Sequence, residues 1–69
     1  MRLMRCTVLG QRHVINPANV VDMFQMITLG DQKPLVGIRE VGRERPVEVS
    51  GLLSDIEEEW INAYNWEYI

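Results

Sequence analysis

One segment limits what this chain can become. From Leu52 to Tyr64 the apolar side chains recur at helical spacing, more clearly than anywhere else in the sequence. At about 100° per residue, Leu52, Leu53, Ile56, Trp60, Ala63 and Tyr64 fall within an arc of about 120°, with Ser54, Asp55, Glu58 and Asn62 opposite. An amphipathic helix over 52–64 is the expectation. Ser54 followed three residues later by Glu57 reads as a capping box. Asp55, Glu57, Glu58 and Glu59 crowd the helix start, where the dipole favours negative charge. If Ser50 is the cap instead, Gly51 lies inside the first turn. Glu57 sits on the shoulder of the apolar arc, between Tyr64 and Ile61. It is either a partly desolvated carboxylate able to act as acid or base, or the capping-box member reaching back to Ser54, which is a complete local account.

Before that helix the pattern is short and period-two. Met4, Cys6 and Val8 share a face within residues 3–9, and His13-Val14-Ile15 forms a brief returning strand after the turn Gly10-Gln11-Arg12. Residues 16–29 are ambiguous. Asn16 and Pro17 are a good N-cap and first helical residue, and Val20, Phe24 and Ile27 sit at helical spacing. The β-branched pairs Val20-Val21 and Ile27-Thr28 argue for a strand, the favoured reading. Gly30 to Pro34 is a loop. Leu35 to Val41 reads as a strand in which Gly37 marks a bulge, and Pro46 to Val49 as a short strand with Val47 and Val49 inward. The fold class is therefore α+β: one domain spanning 1–69, with four or five strands within 3–49. They form a single small curled antiparallel sheet packed by one C-terminal helix, followed by an aromatic tail, 65–69.

The chain is short, at 69 residues, and buries only about 60% of the surface its unfolded form exposes. Conformational entropy offsets nearly all of the burial gain at that size. Self-association or a partner is expected to support the fold. Cys6 is the only cysteine and His13 the only histidine, so neither a disulfide nor a zinc site can be assembled within the chain. No apolar run is long enough to span a membrane, and Met-Arg-Leu-Met-Arg-Cys lacks the continuous apolar region of a signal peptide. A cytoplasmic protein without cofactor or metal is the expectation.

Catalysis finds little support. No Gly-x-Ser-x-Gly elbow or phosphate-cradling glycine loop occurs, and Cys6 lies in a strand pattern that buries it. Charge is more informative. Residues 1–51 carry all seven basic side chains and five acidic ones, whereas residues 52–69 carry five acidic and none basic, giving the net charge of −3. An acidic chain is repelled by phosphate, so nucleic-acid contact is disfavoured. The alternative site for it is the hairpin arginines Arg39, Arg43 and Arg45, where no aromatic between positions 25 and 59 supplies stacking. Those arginines otherwise pair with Glu40, Glu44 and Glu48 across the sheet. Trp60, Tyr64, Trp66 and Tyr68 gather at the C-terminus. The tail either folds back on the sheet or docks on another chain, since tryptophan and tyrosine serve both uses.

From Thr7 onward the order of features resembles the small flagellar and swarming protein family FlbD (SwrD). The resemblance rests on Thr7-Val8-Leu9-Gly10, Val14-Ile15-Asn16, Asn19-Val20-Val21, Leu35-Val36-Gly37-Ile38, Gly42-Arg43 and Val47-Glu48-Val49-Ser50. It covers about two-thirds of the chain. It implies a few strands closed by one C-terminal helix, and it carries no catalytic residue over. The segment between Met23 and Leu35 is longer here, and the aromatic tail is an addition. The functional expectation is a non-enzymatic protein-binding module, such as an inhibitor of the kind small viral proteins provide. Its binding surface would be Asp55, Glu58, Glu59 and Asn62 with Trp66 and Tyr68 beside them, and its partner a larger protein with a basic surface or a second copy of the chain.

Overall fold

The computed structural model describes residues 1–8 and 11–67. Five strands, β1 (Met4–Val8), β2 (Gln11–Ile15), β3 (Val20–Met26), β4 (Leu35–Glu40) and β5 (Val47–Ser50), precede one helix, α1 (Leu53–Tyr64). The α+β class and the C-terminal helix are as expected, and β5 runs one residue past the expected strand limit. The single sheet is not what forms. β1 and β2 make a separate antiparallel hairpin, while β3, β4 and β5 make a three-stranded antiparallel meander in that order. β1 lies beside β5 but shares no ladder with it. Alternation fixes which side chains point inward and is silent on which strand edges pair, so the break between sheets has no sequence signal.

One core serves both sheets. Met4, Cys6 and Ile15 from the hairpin meet Val36, Ile38, Val47 and Val49 from the meander and Ala63 from α1, all buried. Leu53, Ile56 and Trp60 pack against this cluster from the helix, as the apolar arc requires. Leu52 and Tyr64, the two ends of that arc, are half exposed.

Residues 16–26 combine both readings of their pattern. Asn16 accepts a hydrogen bond from the Ala18 N–H and Pro17 opens a helical turn, but this is a single 3₁₀ turn, Pro17–Asn19, before β3 begins. The bulge lies in β3, between Val20 and Asp22, and not at Gly37. The extra residue returns Val20 and Met23 to the same inward face and pushes Val21 out. Gly37 is instead a close-approach position: the Phe24 ring covers it, and a Cβ there would collide with the ring.

The capping box does not form. Helix α1 begins one residue before Ser54, and Leu52 stands at its N-cap without a side-chain bond. Gln25 of β3 supplies the partner: its Oε1 accepts from the Leu53 N–H at 2.7 Å, while its Nε2 donates to the Leu35 carbonyl at 2.7 Å. Gly51, at φ +142°, turns the chain from β5 into the helix, so it precedes the first turn and is not part of it.

Candidate functional site

The outward face of α1 is where the sequence places binding, and the structure sorts its residues. Asp55, Glu58 and Asn62 are exposed there. Glu59 is not on that face. It lies on the flank toward β1, where its carboxylate accepts from the Arg2 guanidinium at 2.7 Å. The same guanidinium sits 5.3 Å from the centre of the Trp66 ring. The Arg2 N–H also donates to the Ala63 carbonyl at 2.8 Å, and the Met1 nitrogen donates to the Trp66 carbonyl. Trp66 is therefore held beside the first two residues of the chain. Trp66 keeps 46% of its surface exposed. Tyr68 lies outside the described residues.

Two further side chains of α1 are half exposed, and sequence reasoning missed them. Ile61 is 43% and Tyr64 47% exposed. Tyr64 was expected in the core, yet it stands at the edge of the arc, tilted against Trp60 with ring centres 5.5 Å apart. The signal was its position at the arc's limit, where the helix turns away from the sheet. Asp55, Glu57 and Glu58 form no ion pair among the described residues. The outward helix face thus carries unneutralised acid with half-exposed Ile61 one turn from Glu58, while Tyr64 stands on the apolar arc against Trp60.

The arginine patch is dispersed by its own carboxylates. Arg39 grips Asp22, its cross-strand neighbour, in a two-pronged pair with Nε to Oδ1 at 2.6 Å. That guanidinium lies 5.6 Å from the Phe24 ring centre, an aromatic contributed by the adjacent strand that linear spacing did not reveal. Arg43 approaches Glu40 at 3.5 Å, a charge contact too loose to be a hydrogen bond, and the Glu40 Oε1 is buried without another partner. Arg45 is exposed. Glu44 and Glu48 take part in no ion pair among the described residues, so the expected cross-sheet pairing with Glu40, Glu44 and Glu48 does not form: Arg43 meets Glu40 locally, three residues away, and Arg39 pairs across the strands with Asp22 instead.

The hydrogen bonds from Arg39, more than its charge alone, hold the Asp22 carboxyl below its ordinary range and raise the guanidinium in turn. Cys6 shifts the other way. Burial, reinforced by Glu59 and then Glu40, pushes its thiol up and disfavours the nucleophilic thiolate.

Two open grooves flank α1. One, of about 530 Å³, runs between Glu59, Trp66 and the hairpin residues Arg5 and Val14, with the Arg2–Glu59 pair in its wall. The other, of about 280 Å³, separates α1 from β3. Among the described residues no group of three or more histidine, cysteine, aspartate or glutamate side chains could hold a metal ion, and no helix is long and apolar enough to cross a membrane. No protein-family model, curated protein or solved structure matches this chain.

Proposed function

We propose that this chain is a small non-enzymatic protein-binding module that masks a basic surface on a larger partner. The outward face of α1 carries the proposal: among the described residues Asp55 and Glu58 stand without counter-ions, Ile61 follows Glu58 by one turn, and both Ile61 and Trp66, past the helix end, keep more than two-fifths of their surface exposed. Acidic groups steer a basic partner into encounter, and aromatic anchors beside them supply the desolvated contacts that hold it. Glu59 contributes indirectly, by fixing Arg2 and through it Trp66. A nucleic-acid-binding protein is a suitable partner, because the acidic face could occupy a phosphate-binding surface. The element order that resembles the flagellar and swarming family agrees with a role that needs no catalytic residue. A homodimer through the same face is disfavoured by like charge. The rival reading, nucleic acid on Arg39, Arg43 and Arg45, is weakened because two of the three are already engaged by carboxylates.

Affinity capture with the tagged chain, identification of what is retained, and repetition with variants tests this. Asp55→Lys with Glu58→Lys should abolish capture while the circular dichroism spectrum stays native, and capture by the wild type should weaken with salt. If that variant captures the same proteins, while Arg39→Ala with Arg43→Ala and Arg45→Ala abolishes a gel shift, the arginine reading replaces it.

A further inference from the structure

We infer that the open edge of β3 is a strand-addition site for an extended basic segment of a partner protein. This surface is distinct from the outward helix face. Strand β3 pairs with β4 on one side only, and no backbone hydrogen bond covers its other side among the described residues. Such an edge presents unpaired N–H and C=O groups to any extended chain.

The groove of about 280 Å³ lies along this edge. Val20, Val21, Asp22 and Met23 all line it. The bulge leaves Val20 and Met23 inward, Val21 pushed out and Asp22 on the opposite face, so a space touching all four opens at the edge and not on one face. Its far wall is Trp60 and Glu57 of α1. Trp60 is fixed there by its indole N–H, which donates to the Pro17 carbonyl at 2.9 Å.

Charge decides the occupant. The Asp22 carboxylate is already satisfied by Arg39, but Glu57 forms no ion pair among the described residues and the capping box that would occupy it is absent. An apolar groove closed by one carboxylate and an indole suits the stem and head of a lysine or arginine: the methylenes pack on valine, and the cation meets carboxylate and ring together. A second copy of the chain fits poorly, because pairing two β3 edges would bring together two helices whose segment, 52–69, holds five acidic residues and no basic one. The bulge at Val20–Asp22 interrupts regular pairing, which places the added strand along Asp22–Met26 and its terminal basic side chain at Glu57.

The probe is a capped peptide of about seven residues alternating valine and lysine, matched to the length of β3. Its control has glutamate in place of lysine. Titrated into the ¹⁵N-labelled chain, the lysine peptide should shift the amides of Asp22–Met26 and slow their exchange with solvent, and the glutamate peptide should not. Glu57→Gln should weaken binding about two- to fivefold, as loss of one exposed charge pair does, and Val21→Lys should weaken it by placing a like charge at the edge. Both side chains are exposed, so the variants should keep the native spectrum. Asp55→Lys with Glu58→Lys should leave β3 shifts in place, which separates this site from the outward face. Shifts confined to Asp55, Glu58 and Asn62, equal binding of the two peptides, or indifference to Glu57→Gln would overturn the inference. So would a dimer in which the β3 amides are already protected.

Discussion

Single residues here act by reaching across the chain rather than along it. Arg39 illustrates this at the surface. Its hydrogen bonds depress the Asp22 carboxyl, so the pair's contribution is present above the ordinary carboxylate range and fades as pH falls through the lowered value. Both groups are solvent-exposed, and the effect on stability is correspondingly small. Arg39→Ala should return the Asp22 titration, followed by carbon-detected NMR of its carboxyl, toward the ordinary range, and should make acid unfolding slightly less steep. An unchanged Asp22 midpoint would show that the contact is not populated in solution. Arg2 does comparable work in a more sheltered place, joining Glu59, the Ala63 carbonyl and the Trp66 ring. No local spacing announces a contact between the second residue of a chain and its last turn. The sequence therefore marked Trp66 as needing a partner without naming Arg2.

At the scale of elements, legibility follows the range of the interaction. Helix α1 was plain because its apolar arc is written within thirteen residues, and β1 and β5 were plain because alternation is local, whereas Gln11 and Arg12, read as a turn, are strand residues of β2 paired with Val8 and Thr7. The start of α1 was misread for a long-range reason. Ser54 and Glu57 have the right spacing for a capping box, but Gly51 turns the chain early and Gln25 of β3 reaches the free Leu53 N–H first. In the same way, Asn16 and Pro17 do start a helical turn, which the β-branched Val20 and Val21 end as β3 pairs with β4. The Gln25 amide thus ties β3, β4 and the helix start together. Gln25→Ala should cost about 1 kcal/mol, the usual effect of losing a cap and its companion bond. In a domain of this size that lowers the melting temperature by about 4–8 °C. Gln25→Glu keeps the acceptor and loses the donor, so it should recover part of the loss. A melting temperature unchanged in Gln25→Ala would mean that solvent caps the helix equally well.

Taken as a whole molecule, two sheets without a shared ladder raise the question of whether they unfold as one unit or two. Hydrogen bonding alone suggests two, since the β1–β2 hairpin is complete within itself. Packing says otherwise. A lone hairpin is marginal in water, and among the described residues the inward face of this one is covered by the meander and α1. Met4 and Ile15 are at most 1% exposed, and the residues around them, Val47, Val49 and Ala63, belong to the other sheet and the helix. The meander in turn has only one helix to close its inner face. Neither half can bury its apolar side chains alone, so cooperativity should run through the core and not through the ladders. Met4→Ala tests this at the hairpin's most buried position. Truncating a buried methionine costs about 2–5 kcal/mol, a large part of the roughly 3–10 kcal/mol available to a chain this short. Amide exchange in the variant should accelerate in β4 and β5 as much as in β1 and β2, with one thermal transition at lower temperature. If only residues 4–8 and 11–15 lose protection while Val36, Ile38, Val47 and Val49 keep theirs, the hairpin is a separable unit and the meander with its helix is the folded core. The milder Met4→Leu, which nearly conserves volume, should stay within about 1.5 kcal/mol of the native chain, separating lost packing from any general intolerance at that position.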